Sequence, residues 1–225
     1  MHSRRIPALL GAIAVVMALV GAAPAATPST VTIRIEGSKK TLLLSTSATG
    51  EMGSITQGGT PTGKCSGATV AGALDRVTHH NWTGKYYASV PGIFVTSILG
   101  EKPAGNDYWA LFVNNKSSTK GICDLTLYGE QVLFADSDGS HYPAALTTPQ
   151  SATAGHPFTV QLVGYNAKGK AKPLAGVSIT GGGIPAVKTN AHGAASITDS
   201  HHGNLVLRAA PTGYLRTEAL VHVAG

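Results

Sequence analysis

Charged side chains make up only 12% of this 225-residue chain and large aromatics only 6%. The 11 acids are spread along the whole length, with Asp136 and Asp138 as the only close pair. No segment therefore gathers carboxylates for acid and base work. G-x-S-x-G, H-E-x-x-H and a Gly-rich loop ending in Lys-Ser/Thr are all absent, which removes the usual marks of serine hydrolases, zinc proteases and phosphate-cradling folds. The sequence predicts no catalytic residue and no enzyme. Catalysis would need a histidine and a carboxylate assembled across the fold in one pocket. The basic residues are scattered, so nucleic acid is not an expected partner. Past the N-terminus no stretch approaches the roughly 20 apolar residues of a membrane helix.

What the N-terminus does contain is Arg4-Arg5, an apolar run from Ile6 to Val20 and a small-residue site from Ala23 to Ala25. This pattern predicts a signal peptide over residues 1–25, with an uncleaved anchor as the alternative. Removing Arg4 and Arg5 lowers Lys+Arg from 17 to 15 against 11 acids, a net charge of +4. The expected product is soluble, without a membrane span, and secreted to the outside or the cell envelope, where mild positive charge suits anionic wall polymers. Cysteine is nearly absent, but the two present, Cys65 and Cys123, are an even count in an oxidising compartment and predict one disulfide. Closing a loop between positions 58 apart should contribute about 4 kcal/mol. A thiolate nucleophile or a metal pair is the competing reading.

Glycine, at 28 residues, and proline, at 12, point to short strands and tight turns. Val31, Ile33 and Ile35 alternate with polar neighbours, and Gly37 to Lys40 turns into Leu42-Leu43-Leu44, a hairpin. After a Gly/Thr-rich loop from Gly50 to Gly63, Val70, Leu74 and Val77 have helical spacing, with Ser66 or Thr69 as the cap. Ile93 to Val95, Trp109 to Val113 and Gln131 to Phe134 read as strands. One helix on such a sheet gives an α+β, β-grasp-like domain over 31–136; a plain β-barrel is the alternative if the helix fails.

From about Tyr142, Pro143, Pro149 and Pro157 punctuate a polar connection, and helical spacing does not return. Alternating pairs then recur: Val160/Leu162, Val177/Ile179, Ala195/Ile197, Leu205/Leu207 and Val221/Val223. With turn signals at Asn166 to Gly169, Gly181 to Gly183 and Asn190 to Gly193, they predict an immunoglobulin-like β-sandwich over 143–225. The whole is mainly β.

Four segments carry a resemblance. VPGIFVTSILG (Val90 to Gly100), YWALFV (Tyr108 to Val113), GICDLTLYGEQVLF (Gly121 to Phe134) and ATVAGALDRV (Ala68 to Val77) resemble the C-terminal β-domain of the transcobalamin and intrinsic-factor family, which is also found as a bacterial domain of unknown function. The resemblance implies a β-grasp fold. Through the vitamin-binding members it implies cobalamin or a related corrinoid as a ligand rather than a resident cofactor. KPLAGV (Lys172 to Val177), TNAHGA (Thr189 to Ala194) and GYLRTEAL (Gly213 to Leu220) are similar to bacterial Ig-like modules, implying a spacer or adhesive scaffold.

Trp82, Tyr87, Tyr108 and Trp109 are the candidate ligand-stacking side chains, with burial in the core as the competing reading. His79-His80 and His201-His202 are adjacent pairs whose side chains diverge, so no metal site is expected, and Asp136/Asp138 reads as a solvated turn. The expected function is a secreted, non-catalytic module in which the grasp domain recognises a small molecule and the Ig-like domain spaces it. The alternative is a structural or adhesive envelope protein that binds a protein or polysaccharide. Mass spectrometry of the non-reduced secreted protein should give the mass of residues 26–225 less two hydrogens; full-length mass or free thiols would overturn both expectations.

Overall fold

The computed structural model describes residues 30–89 and 92–225, so the signal peptide assigned to residues 1–25 lies outside the described residues. The apolar alternation of β1 (Thr30–Glu36) pairs it antiparallel with β2 (Thr41–Thr49) across the Gly37 to Lys40 turn. Helix α1 (Val70–Val77) follows, then β3 (Trp82–Tyr87) and β4 (Gly92–Ile98), which pair only with each other. β5 (Tyr108–Val113), the short β6 (Lys116–Ser117) and β7 (Gln131–Ser137) complete a sheet ordered β2-β1-β7-β5-β6. β7 runs parallel to β1 and antiparallel to β5. A hairpin, a helix and a last strand set parallel beside the first form the β-grasp arrangement.

Val31, Ile33, Ile35, Val132 and Phe134 face α1 and pack with Val70, Ala71, Leu74, Trp82, Ile98 and Trp109. The helix starts differently from the sequence expectation. Thr69 occupies the N-cap position, but its hydroxyl donates to Ser66 O (2.6 Å) and caps nothing in the helix. Instead Val70 N–H donates to Leu125 O (2.9 Å) and Ala71 N–H to Ile122 O (3.1 Å). Backbone carbonyls from elsewhere in the chain thus satisfy the first-turn donors, and local cap residues become unnecessary. The carbonyl-bearing segment is tied down by the Cys65–Cys123 disulfide, Cα to Cα 4.9 Å. Both expected cysteines are in that bridge, and it fits an oxidising compartment.

The second unit comprises β8 (Ala144–Thr147), β9 (Ser151–Thr153), β10 (Phe158–Tyr165), β11 (Ala171–Pro173), β12 (Ser178–Gly181), β13 (Ile184–Lys188), β14 (Ala194–Ile197), β15 (Gly203–Ala209) and β16 (Thr217–Ala224). β8, β10, β11 and β14 form one sheet; β13-β12-β15-β16-β9 form the other. Val160, Leu162, Ala195 and Ile197 from the first meet Ile179, Leu205, Leu207, Val221 and Val223 from the second in one core, a two-sheet sandwich. The stretch read as a polar connection contains β8 and β9, which pair with β10 and β16. With only Ala144 and Leu146 buried in β8, its alternation was too brief to register as a strand.

The sandwich is not a loosely tethered spacer. The face of the grasp sheet opposite α1 carries Arg34, Glu36, Ala110, Phe112, Leu133 and Ala135, and Leu215 packs on its apolar part. Arg34 Nη1 donates to Thr217 Oγ1 (2.6 Å), Nη2 to Ala144 O (3.1 Å), and Nε lies 3.5 Å from Glu36 Oε1. Glu36 Oε2 accepts from Thr41 Oγ1 (2.7 Å) and Arg216 Nε (3.2 Å), and Arg216 also reaches Gly37 O. Arg34 is 8% and Glu36 2% exposed. Burial lowers the Arg34 pKa against the pull of Glu36, and raises that of Glu36 against Arg34, Thr41 and Arg216. Desolvation therefore opposes this ion pair on both sides, and its value lies in how costly it is to break.

At the rim of this seam, a cleft of about 380 Å³ is bordered by Glu36, Asp107, Asp136, Asp138, His141 and Arg216. Asp136 is pushed up to about 6, first by burial and then by the neighbouring charges of Glu101 and Asp107. In an unfolded chain it titrates near ~4. The folded protein thus binds the extra proton, and the stability this supplies is complete below about pH 4 and lost as pH rises through about 6. Buried Glu36 acts in the same direction.

Arg34→Ala should cost about 3–5 kcal/mol in urea denaturation, because it takes from buried Glu36 one of its two cations and leaves Thr217 Oγ1 and Ala144 O without their donor. Arg208→Ala, which breaks a 2.8 Å pair with Glu218 whose arginine is half in water, should cost less, about 1–2 kcal/mol. Equal losses would contradict the role given to Arg34. Asp136→Asn should raise the melting temperature at about pH 7.5 and leave it unchanged near pH 4; the same shift at both values would refute the charge-based account.

Candidate functional site

The four candidate stacking residues separate into three places. Trp82 and Trp109 lie in the core beneath α1, 2% and 6% exposed. Trp82 Nε1 donates to Asp75 Oδ1 (2.5 Å), while the Trp109 indole N–H has no hydrogen-bond partner among the described residues. Tyr108 sits on the opposite sheet face, paired with Ser137 and close to Gly139 at the seam. Tyr87, 43% exposed, lies on the β3–β4 ribbon, and Tyr108 is exposed to a similar degree, 40%.

That ribbon is amphipathic. Trp82, Ile93 and Val95 point into the core, whereas Thr83, Lys85, Tyr87, Phe94 and Thr96 point to water. Lys85 stands opposite Phe94, with its Nζ 5.2 Å from the Tyr87 ring centroid. Thr83 and Thr96 join hydroxyls at 2.9 Å. Phe94, at 52% exposure, was read from sequence only as a strand residue. Its neighbours Ile93 and Val95 masked it, because three consecutive apolar residues do not reveal which one faces outward. The ribbon belongs to the α1 side of the sheet and the sandwich covers the other side.

At the foot of the ribbon three segments converge. The 50–69 loop is zipped to itself by Glu51 N–H to Gly67 O (2.7 Å) and Ile55 N–H to Cys65 O (2.9 Å). It lies against β3 through Gln57 Nε2, which donates to Trp82 O (3.1 Å). Gly58, at φ 67°, fits there because a Cβ would come within 2.5 Å of Gly84 O. Helix α1 ends with His79 and His80 in the left-handed region, φ 52° and 62°, and His80 N–H donates back to Asp75 O (2.8 Å). His80 Nδ1 is thereby brought to 2.6 Å from Asp75 Oδ2.

Ligand atoms of Glu51, Asp75 and His80 lie within 4.8 Å of one another, beside a cleft of about 330 Å³ that Ser54, Thr56 and Gln57 also line. The histidine and carboxylate convergence that an enzyme would need is therefore present. No serine, threonine or cysteine among the described residues hydrogen-bonds to His80, and Ser54 Oγ instead accepts from Gly63 N–H (2.9 Å). The adjacent-pair argument missed this site because His80 does not converge with His79; it meets residues 5 and 29 positions earlier. The His201 ring pairs with Asp199 (2.9 Å), whose carboxyl is held low chiefly by the His201 backbone N–H.

No curated protein matches the chain. Residues 67–134, from just before α1 through most of β7 and including Asp75, His80 and the ribbon, match the model of a family described as a domain of unknown function (DUF4430), and that stretch is similar to it.

Proposed function

We propose that this is a secreted, non-catalytic binding protein whose ribbon face contacts an exogenous ligand and whose sandwich acts as a rigid support behind it. The observation that carries this reading is the pair of exposed aromatics, Phe94 and Tyr87, held with Lys85 on one face of β3–β4. Aromatic side chains left in water on a ribbon whose other face is core offer a stacking platform for a broad, flat ligand surface. The similarity of the strand and helix motifs to the transcobalamin C-terminal domain supports a corrinoid, touched on one face. The platform is open rather than a pocket, which favours as the second reading a cell-envelope polysaccharide, drawn also by the positive charge.

Titration of the secreted protein with cobalamin, followed by corrin absorbance, is expected to saturate. Tyr87→Ala with Phe94→Ala should weaken binding about tenfold or more, from roughly 1–3 kcal/mol per truncated ring. No change up to millimolar cobalamin, together with salt-sensitive retention on isolated cell walls that the double variant loses, would favour the polysaccharide. Failure of both would sink the ribbon reading.

A further inference from the structure

Asp75 is a buried acid without a fixed cation. It is 6% exposed, and among the described residues no lysine or arginine lies within ion-pairing distance of it; its only ionic partner is His80, which is charged only when protonated. A buried carboxylate costs stability unless its charge is matched. The second acid of the cluster, Glu51, has Arg76 at a loose 3.9 Å, and that arginine is largely in solvent. Two carboxyl groups and one imidazole therefore converge, and the one fixed cation nearby, Arg76, reaches only Glu51.

We infer that Glu51, Asp75 and His80 bind a divalent transition-metal ion of the zinc class. Three observations converge on it. The ligand atoms come from the 50–69 loop, the last turn of α1 and the residue that closes that helix, all within 4.8 Å. Asp75 is already oriented, because its Oδ1 accepts the buried Trp82 indole N–H and its Oδ2 is left facing His80. Such a hydrogen bond to the second oxygen of a ligating carboxylate is how metal sites hold their ligands in place. The imidazole is free to adapt: its Nδ1 faces the carboxylates and most of the ring is in water, so the ring proton can reside on Nε2 and be solvated while Nδ1 ligates.

One imidazole with two carboxylates suits zinc, and its neighbours in the first transition row, better than calcium or magnesium, which prefer all-oxygen sites. Three protein ligands beside an open cleft leave positions for water or an added ligand. The site is separate from the ribbon's outer face, and the inference does not rest on the ligand reading given above.

Cobalt(II) and zinc titrations of the purified, disulfide-bonded protein test it, by visible absorption for cobalt and calorimetry for zinc. One ion per chain is expected. Glu51→Gln and His80→Gln should each weaken binding about tenfold or more, with folding verified by the disulfide and Trp fluorescence. His201→Gln with His202→Gln should leave it unchanged. Both are chosen over an Asp75 variant, which would also release Trp82. No stoichiometric binding below millimolar metal, equal affinity in either single variant, or loss in the His201/His202 variant instead would overturn the site.

Discussion

Both faces of the central strands of the grasp sheet are covered over most of their length, and most of the architecture follows from that. On one side Val31, Ile33, Ile35, Val132 and Phe134 require α1 as a cover. On the other, Arg34 and Glu36 sit beside Phe112, Leu133 and Ala135, and this mixed surface is closed by Leu215, Arg216, Thr217 and Ala144 of the sandwich. A charge pair in this position does little for net stability, since desolvation opposes it from both ends. It is nevertheless exacting about geometry, because displacing the sandwich takes Arg216 from Glu36 and the Thr217 and Ala144 acceptors from Arg34. The second unit is thereby locked to the first as a buttress.

With the back of the sheet occupied, what the grasp unit can present is limited to its helix side. There the 50–69 loop, lacking regular structure apart from one short turn at Gln57–Gly59, is the organising piece. The disulfide clamps it at Cys65, backbone hydrogen bonds zip it, and the Gln57 contact presses it to β3. The same bridge holds the carbonyls that receive the first N–H groups of α1. One covalent link therefore sets both ends of the region: the helix that delivers Asp75 and the loop that delivers Glu51. Trp82 joins the parts, as a core residue of the ribbon whose indole also steadies Asp75.

Much of the fold was legible because alternation reports burial on one face. Val31/Ile33/Ile35, Val160/Leu162 and Leu205/Leu207 all point where their spacing says. The reading weakened wherever a second partner changed the environment. Thr32, Arg34 and Glu36 look like the wet face of a half-buried strand, yet Arg34 and Glu36 are covered. The unbroken run Val132 to Ala135 was the available sign that this sheet is buried on both faces, since such runs mark strands packed on either side. β8 and β9 were lost among prolines, and Trp82 and Trp109 were ranked with Tyr87 by chemical type although the first two are core.

By itself, the sequence determined most of the strands but not β3, β8 or β9, the single helix and the pairing of its two cysteines, because local spacing and turn residues govern short-range conformation. Tertiary structure alone decided which aromatics meet water, how the helix is capped, that the second unit seals the first, and that His80 joins Asp75 and Glu51. Each of these depends on contacts between residues far apart in the chain, and burial or charge pairing at such a contact is a property of neither segment alone.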